Sequence, residues 1–546
     1  MSSKGHAEDS PIVLEEQIDR KDGASVEEIE KVSSNVEIGD PDSELLLPSR
    51  RPIAERKLVR VLDFRLLPTI VLIFILNYID RTAVTAARLK GLETDLGLTG
   101  RVQSLQAAIS NSILSADIQY STVLAVLYAS YCPAQIPSNM ILNRVSRPSW
   151  YIPICVILWG MTSALTGVAR NYAGILTARI FVGLPEAAFY PGAIYLLSRW
   201  YTRKELAFRS AILYGGLLIS NAFGSLMAAG ILSRMEGKLG IRAWRWLFYI
   251  EAGSTSLLDR IMSDNYFRVL LPFALDYLLC GPCPIMRLAQ VRLAEDAGEA
   301  DEDSAQESVM HGFKLAMKDP KVYIFSIMTC SQLLGLSFVN FFPTLTATLG
   351  FSTTVSLLLA APPWIVATVI CCVNAWHTDR TGERYFHINV PWWGVIVGYI
   401  IGLSTPSVGG RYVSMFLMAS GYAGFALALV WVSNAIPRPP SKRSVSIGIV
   451  NGFGNIGNLI GSYAWKAEWG PDYHPSMIIG IASLSLSTVL ALVIRYMLIQ
   501  QNKQLERDQL NNLTPEEKQR IEDAAKLEGL TVKEALERKR GFRYLY

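Results

Sequence analysis

Four charged side chains sit where an apolar sequence would be expected to carry none. Asp80 and Arg81 close the stretch Asn77-Tyr78-Ile79-Asp80-Arg81, and Arg179 and Glu186 lie within a second apolar run. Arg179 and Glu186 are two helical turns apart, so they look out from one helix face, roughly 10 Å apart along the axis. Asp80 and Arg81 are adjacent, point about 100° apart, and so require different partners. A charge at the centre of a bilayer costs about 2.5–3.5 kcal/mol on insertion scales, so each of the four needs a counter-charge or a polar cavity. A guanidinium can hold a carboxylate through paired hydrogen bonds, and a buried carboxylate takes up a proton when its neighbouring cation is drawn away. The set therefore offers anion recognition at Arg81 or Arg179 and proton uptake and release at Asp80 and Glu186. If the first helix runs outward and the fourth inward, Asp80 and Arg179 share a depth roughly 10 Å below the outer surface and can pair, with Glu186 deeper. The competing reading is a set of permanent salt bridges that only fix helix packing. Snorkelling strengthens that alternative for Arg81, which is near a helix end.

Uncharged polar groups add to the set. Asn340 and Asn455 are the candidates for lining a polar cavity, with Asn451 and Asn458 beside the latter; interhelical hydrogen bonding is their alternative use. Glycines such as Gly215, Gly216, Gly448, Gly452, Gly454, Gly457 and Gly461 let helices approach closely. Trp364, Trp392, Trp393, Trp431 and Tyr190 read as interface belt or core rather than as stacking platforms.

The elements that position these residues must be membrane helices. The chain has 546 residues, 51% of them hydrophobic and 18% charged, with a mean hydropathy of +0.27, too apolar for an ordinary soluble protein. Apolar spans fall at 66–83, 118–137, 150–168, 173–198, 210–232, 246–262 or 265–283, 321–343, 352–375, 388–405, 412–434, 444–464 and 476–499, each about the length that crosses a bilayer. The expected fold is all-α and integral to the membrane, twelve helices in two six-helix bundles. A charged stretch from Arg287 to Asp319 divides the halves. The expected organisation is a disordered cytoplasmic tail over 1–60, an N-terminal bundle over 61–285, a cytoplasmic linker over 286–320, a C-terminal bundle over 321–500 and a cytoplasmic tail over 501–546. The two halves also carry basic turns at the same ordinal place, Asn143-Arg144-Val-Ser-Arg147-Pro148 and Thr378-Asp379-Arg380-Thr-Gly382-Glu383-Arg384. Duplicated bundles that rock against each other expose a central site to each side in turn.

Orientation rests on Arg50, Arg51, Arg56, Lys57, Arg60 and Arg65 before the first span and on Arg495, Lys503 and Arg507 around and after the last, which place both termini in the cytoplasm. Arg234, Lys238, Arg242 and Arg245 oppose that bias mildly. The basic residues form no single stripe, which excludes nucleic-acid binding. Cys280 and Cys283 form a CxxC with no second pair beside it and read as loop cysteines. No phosphate-cradling Gly-Lys-Ser/Thr, no His-Glu-x-x-His and no metal-ligand cluster is present, so neither an enzyme nor a cofactor is expected.

Four motifs resemble the major facilitator superfamily: Asn77-Tyr-Ile-Asp-Arg81, Ala178-Arg-Ile-Phe-Val-Gly-Leu-Pro-Glu186, Ala243-Trp-Arg-Trp-Leu-Phe248 and Asp379-Arg-Thr-Gly-Glu-Arg384. More narrowly, together with Phe542-Arg-Tyr, they are similar to the anion:cation symporter family and its fungal allantoate, nicotinate and pantothenate permeases. The resemblance implies a twelve-helix fold, a plasma-membrane site, and proton-coupled import of a small organic anion of carboxylate, vitamin or ureide type; a monomer is the expected state. It assigns substrate recognition and proton coupling to Asp80, Arg81, Arg179 and Glu186, and a gating loop to Asp379, Arg380, Gly382 and Arg384. Asn143 stands where the superfamily usually has Asp. Two further departures are the segment from Arg101 to about Asp117, which lengthens the first external loop, and Asp259, Arg260 and Asp264, which interrupt the sixth span. The alternative functions are a non-transporting membrane nutrient receptor and an inactive product with a disrupted sixth helix.

Overall fold

The computed structural model describes residues 51–97, 107–144, 148–251, 253, 288, 291–292, 309–437, 439–512 and 543–546. Every regular element among them is helical. In the N-terminal half the longer ones are α1 (Arg51–Val61), α2 (Leu67–Arg88), α3 (Ala107–Arg144), α4 (Pro148–Thr166), α5 (Tyr172–Glu186), α6 (Phe189–Ser198), α7 (Arg203–Arg234) and α8, residues 243–251. After α9 (Val309–Lys318), the C-terminal half holds α10 (Pro320–Gly335), α11 (Phe342–Ala347), α12 (Thr353–Thr381), α13 (Tyr385–Ser404), α14 (Val408–Ser420), α15 (Tyr422–Ala435), α16 (Pro440–Gly461) and α17 (His474–Asn512). Among the described residues seven stretches, some of them joining two helices, are long and apolar enough to cross a membrane. The CxxC and the interrupted part of the sixth span lie outside the described residues.

Three boundary expectations change. The lengthened external loop is helical from Ala107 onward, continuous with α3, because its Ala-, Ile- and Leu-rich sequence contains neither Gly nor Pro. Residues 51–60 belong to α1 rather than to a disordered tail; Pro52 sits in the first turn and Arg51 pairs with Glu55 at 2.9 Å. The linker contains α9, which packs against the start of α16 through Gly312. A Cβ there would lie 2.8 Å from that of Ser441.

Two helix pairs make the most extensive contacts between the halves among the described residues: α3 with α16, and α7 with α12. Glycine makes the first seam close. A methyl group at Gly452 would lie 2.7 Å from the Cys132 carbonyl oxygen, and one at Gly448 3.2 Å from that of Gln135. The seam is also bonded: Asn139 Nδ2 donates to Ser444 O at 3.0 Å, and Ser444 Oγ donates back to Asn139 O at 3.0 Å.

The end of the bundle where α1 enters is tied by charge. Arg209 donates to both oxygens of Asp63 at 2.8 and 2.9 Å, Arg292 donates to Glu205 at 2.8 Å, and Lys442 to Asp319 at 2.8 Å. The gating-loop residues lie at this end. Asp379 Oδ2 accepts from the Phe208 N–H of α7 at 2.7 Å, linking the two halves, while Arg384 reaches Asp379 Oδ1 at 3.4 Å. Gly382 caps α12 in the left-handed conformation (φ 71°), which a side chain would strain. Arg380 stands 4.0 Å over the Trp376 ring. Residues 543–546 close over the same loop. Arg384 N donates to Tyr546 O and Trp431 Nε1 to Leu545 O, each at 3.1 Å, while Asn502 both donates to Tyr544 O and accepts from Tyr544 N at 2.9 Å.

Candidate functional site

Two helix breaks build the site. Pro185 lies in the last turn of α5, and the helix stops at Glu186 before α6 resumes at Phe189. Gly183, one turn earlier, lets α5 press on α3: a Cβ there would lie 2.6 Å from Leu127 O. This approach brings Glu186 across to α2. In the other half, α10 ends at Gly335 and a short 3-10 turn, Ser337–Phe341, presents Asn340 between the halves.

Glu186 Oε1 accepts from Arg81 Nε at 2.5 Å and from Asn77 Nδ2 at 2.7 Å. The pair is almost wholly enclosed, with Arg81 11% and Glu186 2% exposed. Its geometry is that of a charge-assisted bond in a poorly hydrated setting, where removing one partner strands the other. Tyrosines cage the guanidinium, whose centre stands 5.0 Å from the Tyr78 ring, 5.5 Å from Tyr128 and 4.7 Å from Tyr131.

Arg81 faces a cavity of about 40 Å³ between the halves, also lined by Tyr78, Tyr128, Tyr131, Tyr190, Tyr214, Asn221, Asn340, Tyr422, Phe425, Asn451, Asn455 and Asn458. A space of that volume takes a few waters. Asn451, Asn455 and Asn458 form one ladder along α16. Asn451 donates to Gln135 of the other half at 2.8 Å, Asn455 to Asn451 O at 2.8 Å, and Asn458 to Asn455 Oδ1 at 3.1 Å. Asn340 Nδ2, Asn458 Oδ1 and the Tyr190 hydroxyl are buried polar atoms with no partner among the described residues, and all three belong to cavity-lining residues.

An aromatic layer closes the cavity toward the α1 end. Tyr190 stacks on Phe74 at 5.1 Å and on Phe425 of the other half at 6.3 Å; Tyr214 meets Phe425 at 5.1 Å and stacks on Tyr422 at 6.3 Å. Phe74, Tyr190, Tyr214 and Phe425 lie roughly 10–17 Å along their helices from the α1 end and Arg81 roughly 21 Å, at 1.5 Å per residue. Farther from that end a second cavity of about 10 Å³ is bounded by Thr85, Asn221, Phe342 and Trp364.

Of the residues singled out from sequence, Arg81, Asn340 and Asn455 line the cavity, and Glu186 pairs with Arg81. Asp80 and Arg179 do not line it. Asp80, as its adjacency to Arg81 required, looks elsewhere: Oδ2 accepts from Trp159 Nε1 of α4 at 2.7 Å. Arg179 is 4% exposed and stands 5.9 Å from the Phe248 ring. Among the described residues its Nε and Nη2 find no hydrogen-bond partner, and Asp80 lies near it as an opposite charge. Glu186 reaches Arg81 from the helix end, while Arg179, two turns back along α5, has its neighbours on α2, α3 and α8. Sequence reasoning missed Glu251 of α8, buried beside Asp80 and Arg179. The signal was present as an acid closing the run Trp244–Ile250, overshadowed by the charges farther along the same span. It also missed the tyrosine cage, because aromatic residues in apolar helices are ordinarily core.

Two bundles joined along paired seams around a polar cavity define a membrane transporter. The sequence model of the Major Facilitator Superfamily matches residues 70–462, and the chain belongs to that family. Among curated relatives, it is 31% identical over 465 residues to the MFS-type transporter cnsO of Penicillium expansum, covering 82% of this chain and 84% of that one. It is 27% identical over 470 residues to the major facilitator-type transporter hxnP of Emericella nidulans, covering 84% and 88%. Among solved structures, its fold is similar to that of the proton:xylose symporter XylE bound to 6-bromo-6-deoxy-D-glucose, with a TM-score of 0.60, 15% identity, and coverage of 79% of this chain and 95% of that one.

Proposed function

We propose that this transporter moves a small organic anion together with a proton by alternating access, and that it belongs to the anion:cation symporter branch of its family. The observation that carries the reading is Arg81: it is the one cationic side chain among the described residues lining the cavity, and its counter-ion is a carboxylate that can be displaced. A substrate carboxylate arriving at Arg81 competes with Glu186, and a buried Glu186 that loses its cation is stabilised by taking a proton. Anion and proton then cross together. Tyr190, Asn340 and Asn458 supply hydrogen-bonding atoms for the rest of the substrate. Import across the plasma membrane, with both termini cytoplasmic, is the direction this reading assigns.

The test is uptake of radiolabelled nicotinate, pantothenate and allantoate by cells expressing the chain, at acidic and neutral external pH, with and without a protonophore. Acid-stimulated uptake that the protonophore abolishes and Arg81→Ala removes is the expected result. Uptake of a neutral sugar but of no acid, with the protein at the cell surface, would overturn the anion assignment.

A further inference from the structure

Two histidines meet across the loop that joins α12 to α13. His377 sits one turn before the end of α12 and His387 in the first turn of α13. His377 Nδ1 stands 2.6 Å from His387 Nε2, with the ring centres 4.9 Å apart. The other nitrogen of His387, Nδ1, is 3.0 Å from Glu383 Oε2. α12 packs chiefly on α7 and α14, and α13 on α14 and α17, so the two helices touch little of each other. The imidazole contact ties them directly, beside a bond from Asn374 Nδ2 to His387 O at 2.7 Å. The loop they bracket carries Asp379, whose bond to the Phe208 N–H links the two halves.

The chemistry of the contact limits the protons it can hold. An ionised carboxylate only accepts hydrogen bonds, so Glu383 takes the N–H of His387 Nδ1. In a neutral His387 that leaves Nε2 as an acceptor, and His377 donates to it from Nδ1. One added proton goes to the far nitrogen of His377 and leaves the contact intact, its charge balanced by Glu383. A second puts an N–H on both facing nitrogens, and two like charges then oppose each other across the gap. Histidine is the side chain that ordinarily titrates between pH 5 and 8, and His377 is exposed to water. The other charged groups around the pair have partners of their own. Arg384 is bonded to Asp379, Arg380 stands over Trp376, and Arg495 of α17 lies 4.9 Å from the Phe386 ring and 5.1 Å from that of Tyr385, with its charge acting on Glu383. On α7, Glu205 and Arg209 are bonded to Arg292 and Asp63.

We infer that His377 and His387 form a proton-operated clasp on the α12–α13 loop, closed while one proton lies between the rings and opened when both rings are charged. Acid on the α1 side thereby loosens the loop that links the halves. The inference goes beyond anion and proton coupling, since neither histidine lines the cavity and the clasp answers to pH at one face rather than to substrate. On the orientation proposed above that face is cytoplasmic, and the transporter senses acid in the cytoplasm; the clasp itself does not depend on the orientation. A native thiol reports the seam beside it. Cys371, two turns before Asp379 on α12, is fully buried with its Sγ 4.0 Å from Ala211 O of α7.

The test is hydrogen exchange of the purified full-length protein, read by mass spectrometry at about pH 7.5 and about pH 5.5, either side of the ordinary imidazole range, and corrected for the intrinsic pH dependence of exchange. Amides of residues 377–387 in the wild type are expected to lose protection roughly tenfold in acid. His377→Ala, with no ring to meet His387, is expected to be as little protected at neutral pH as the wild type is in acid. His377→Gln offers a donor and an acceptor in one uncharged group, and is expected to stay protected at both. Wild-type protection equal at the two pH values, or lost in acid by His377→Gln as fully as by the wild type, would overturn the clasp. Maleimide modification of Cys371, located by peptide mass spectrometry, reads the seam. The rate in wild type divided by that in His377→Gln at the same pH cancels the thiol's own titration; it is expected to be near one at neutral pH and several-fold higher in acid. A ratio that does not change would overturn the link from clasp to seam.

Discussion

Alanine in place of Gly452 should loosen the contact between the halves without touching the cavity's charges. The added methyl would lie 2.7 Å from the Cys132 carbonyl oxygen, and ordinary contact begins at 3.4 Å, so α3 and α16 must part by about 0.7 Å there. The obstacle is backbone on a neighbouring helix, which cannot swing aside as a side-chain tip can. Overpacking of this kind costs about 1–3 kcal/mol, borne by the closed arrangement and relieved once the halves separate. Alanine's gain of about 1 kcal/mol in helix propensity over glycine is common to both arrangements and cancels. The closed population should fall relative to the open one by roughly 5- to 150-fold. Cys132 on the same seam, 7% exposed, reports the change through its rate of maleimide modification, located by peptide mass spectrometry. Gly230→Ala on α7, where a methyl meets nothing within 4 Å, is the control and should leave that rate unchanged. A folded Gly452→Ala protein labelled at Cys132 no faster than the Gly230→Ala control would refute the reasoning.

Three further outcomes are expected. Asp379→Ala removes the acceptor of the Phe208 N–H, losing about 1–3 kcal/mol of the tie between the halves; Asp379→Asn keeps an acceptor and should lose less, as read by the melting temperatures of the two proteins. Asn502→Ala removes both hydrogen bonds to the Tyr544 backbone, so trypsin should cleave after Arg543 faster than in the wild type, and an equal rate would show that residues 543–546 are held by other contacts. Burial raises the Glu383 carboxyl, but hydrogen bonds from His387 and the Phe386 N–H outweigh it and hold the group below its ordinary value of 4.5. A depressed folded value contributes stability above pH 4.5 that is lost as pH falls through the folded value. The melting-temperature gap between wild type and Glu383→Gln should therefore be constant near neutrality and narrow in acid.

The membrane fold was legible because twenty-residue apolar runs leave few alternatives, and buried charge was legible because it is costly there. Asp80, Arg81, Arg179 and Glu186 stood out for that reason. Their partners did not, since pairing depends on where helices bend: the stop at Pro185 gives Glu186 to Arg81, and a helix continuing straight would have aimed it elsewhere. Glu251 escaped notice because one acid closing an apolar run also reads as a loop boundary. The docking of Tyr544 on Asn502 joins residues whose sequence separation hides any periodicity, and Phe542-Arg-Tyr gave only a likeness to other chains. Trp364, Trp392 and Trp431 are fully buried, whereas Trp393 is 39% exposed, a division that one-residue steps around a helix decide and composition does not.

The aromatic layer has an electrical consequence. Tyr190 and Tyr214 come from one half and Tyr422 and Phe425 from the other, so the barrier at the α1 end is the meeting of the two halves and has no hinge of its own. Where a polar cavity stops against such a layer, membrane voltage falls across the thickness of a few rings. An unaccompanied unit charge passing it gains or loses about 2.3 kcal/mol per 100 mV. A monovalent anion crossing with one proton carries no net charge and passes without sensing the voltage.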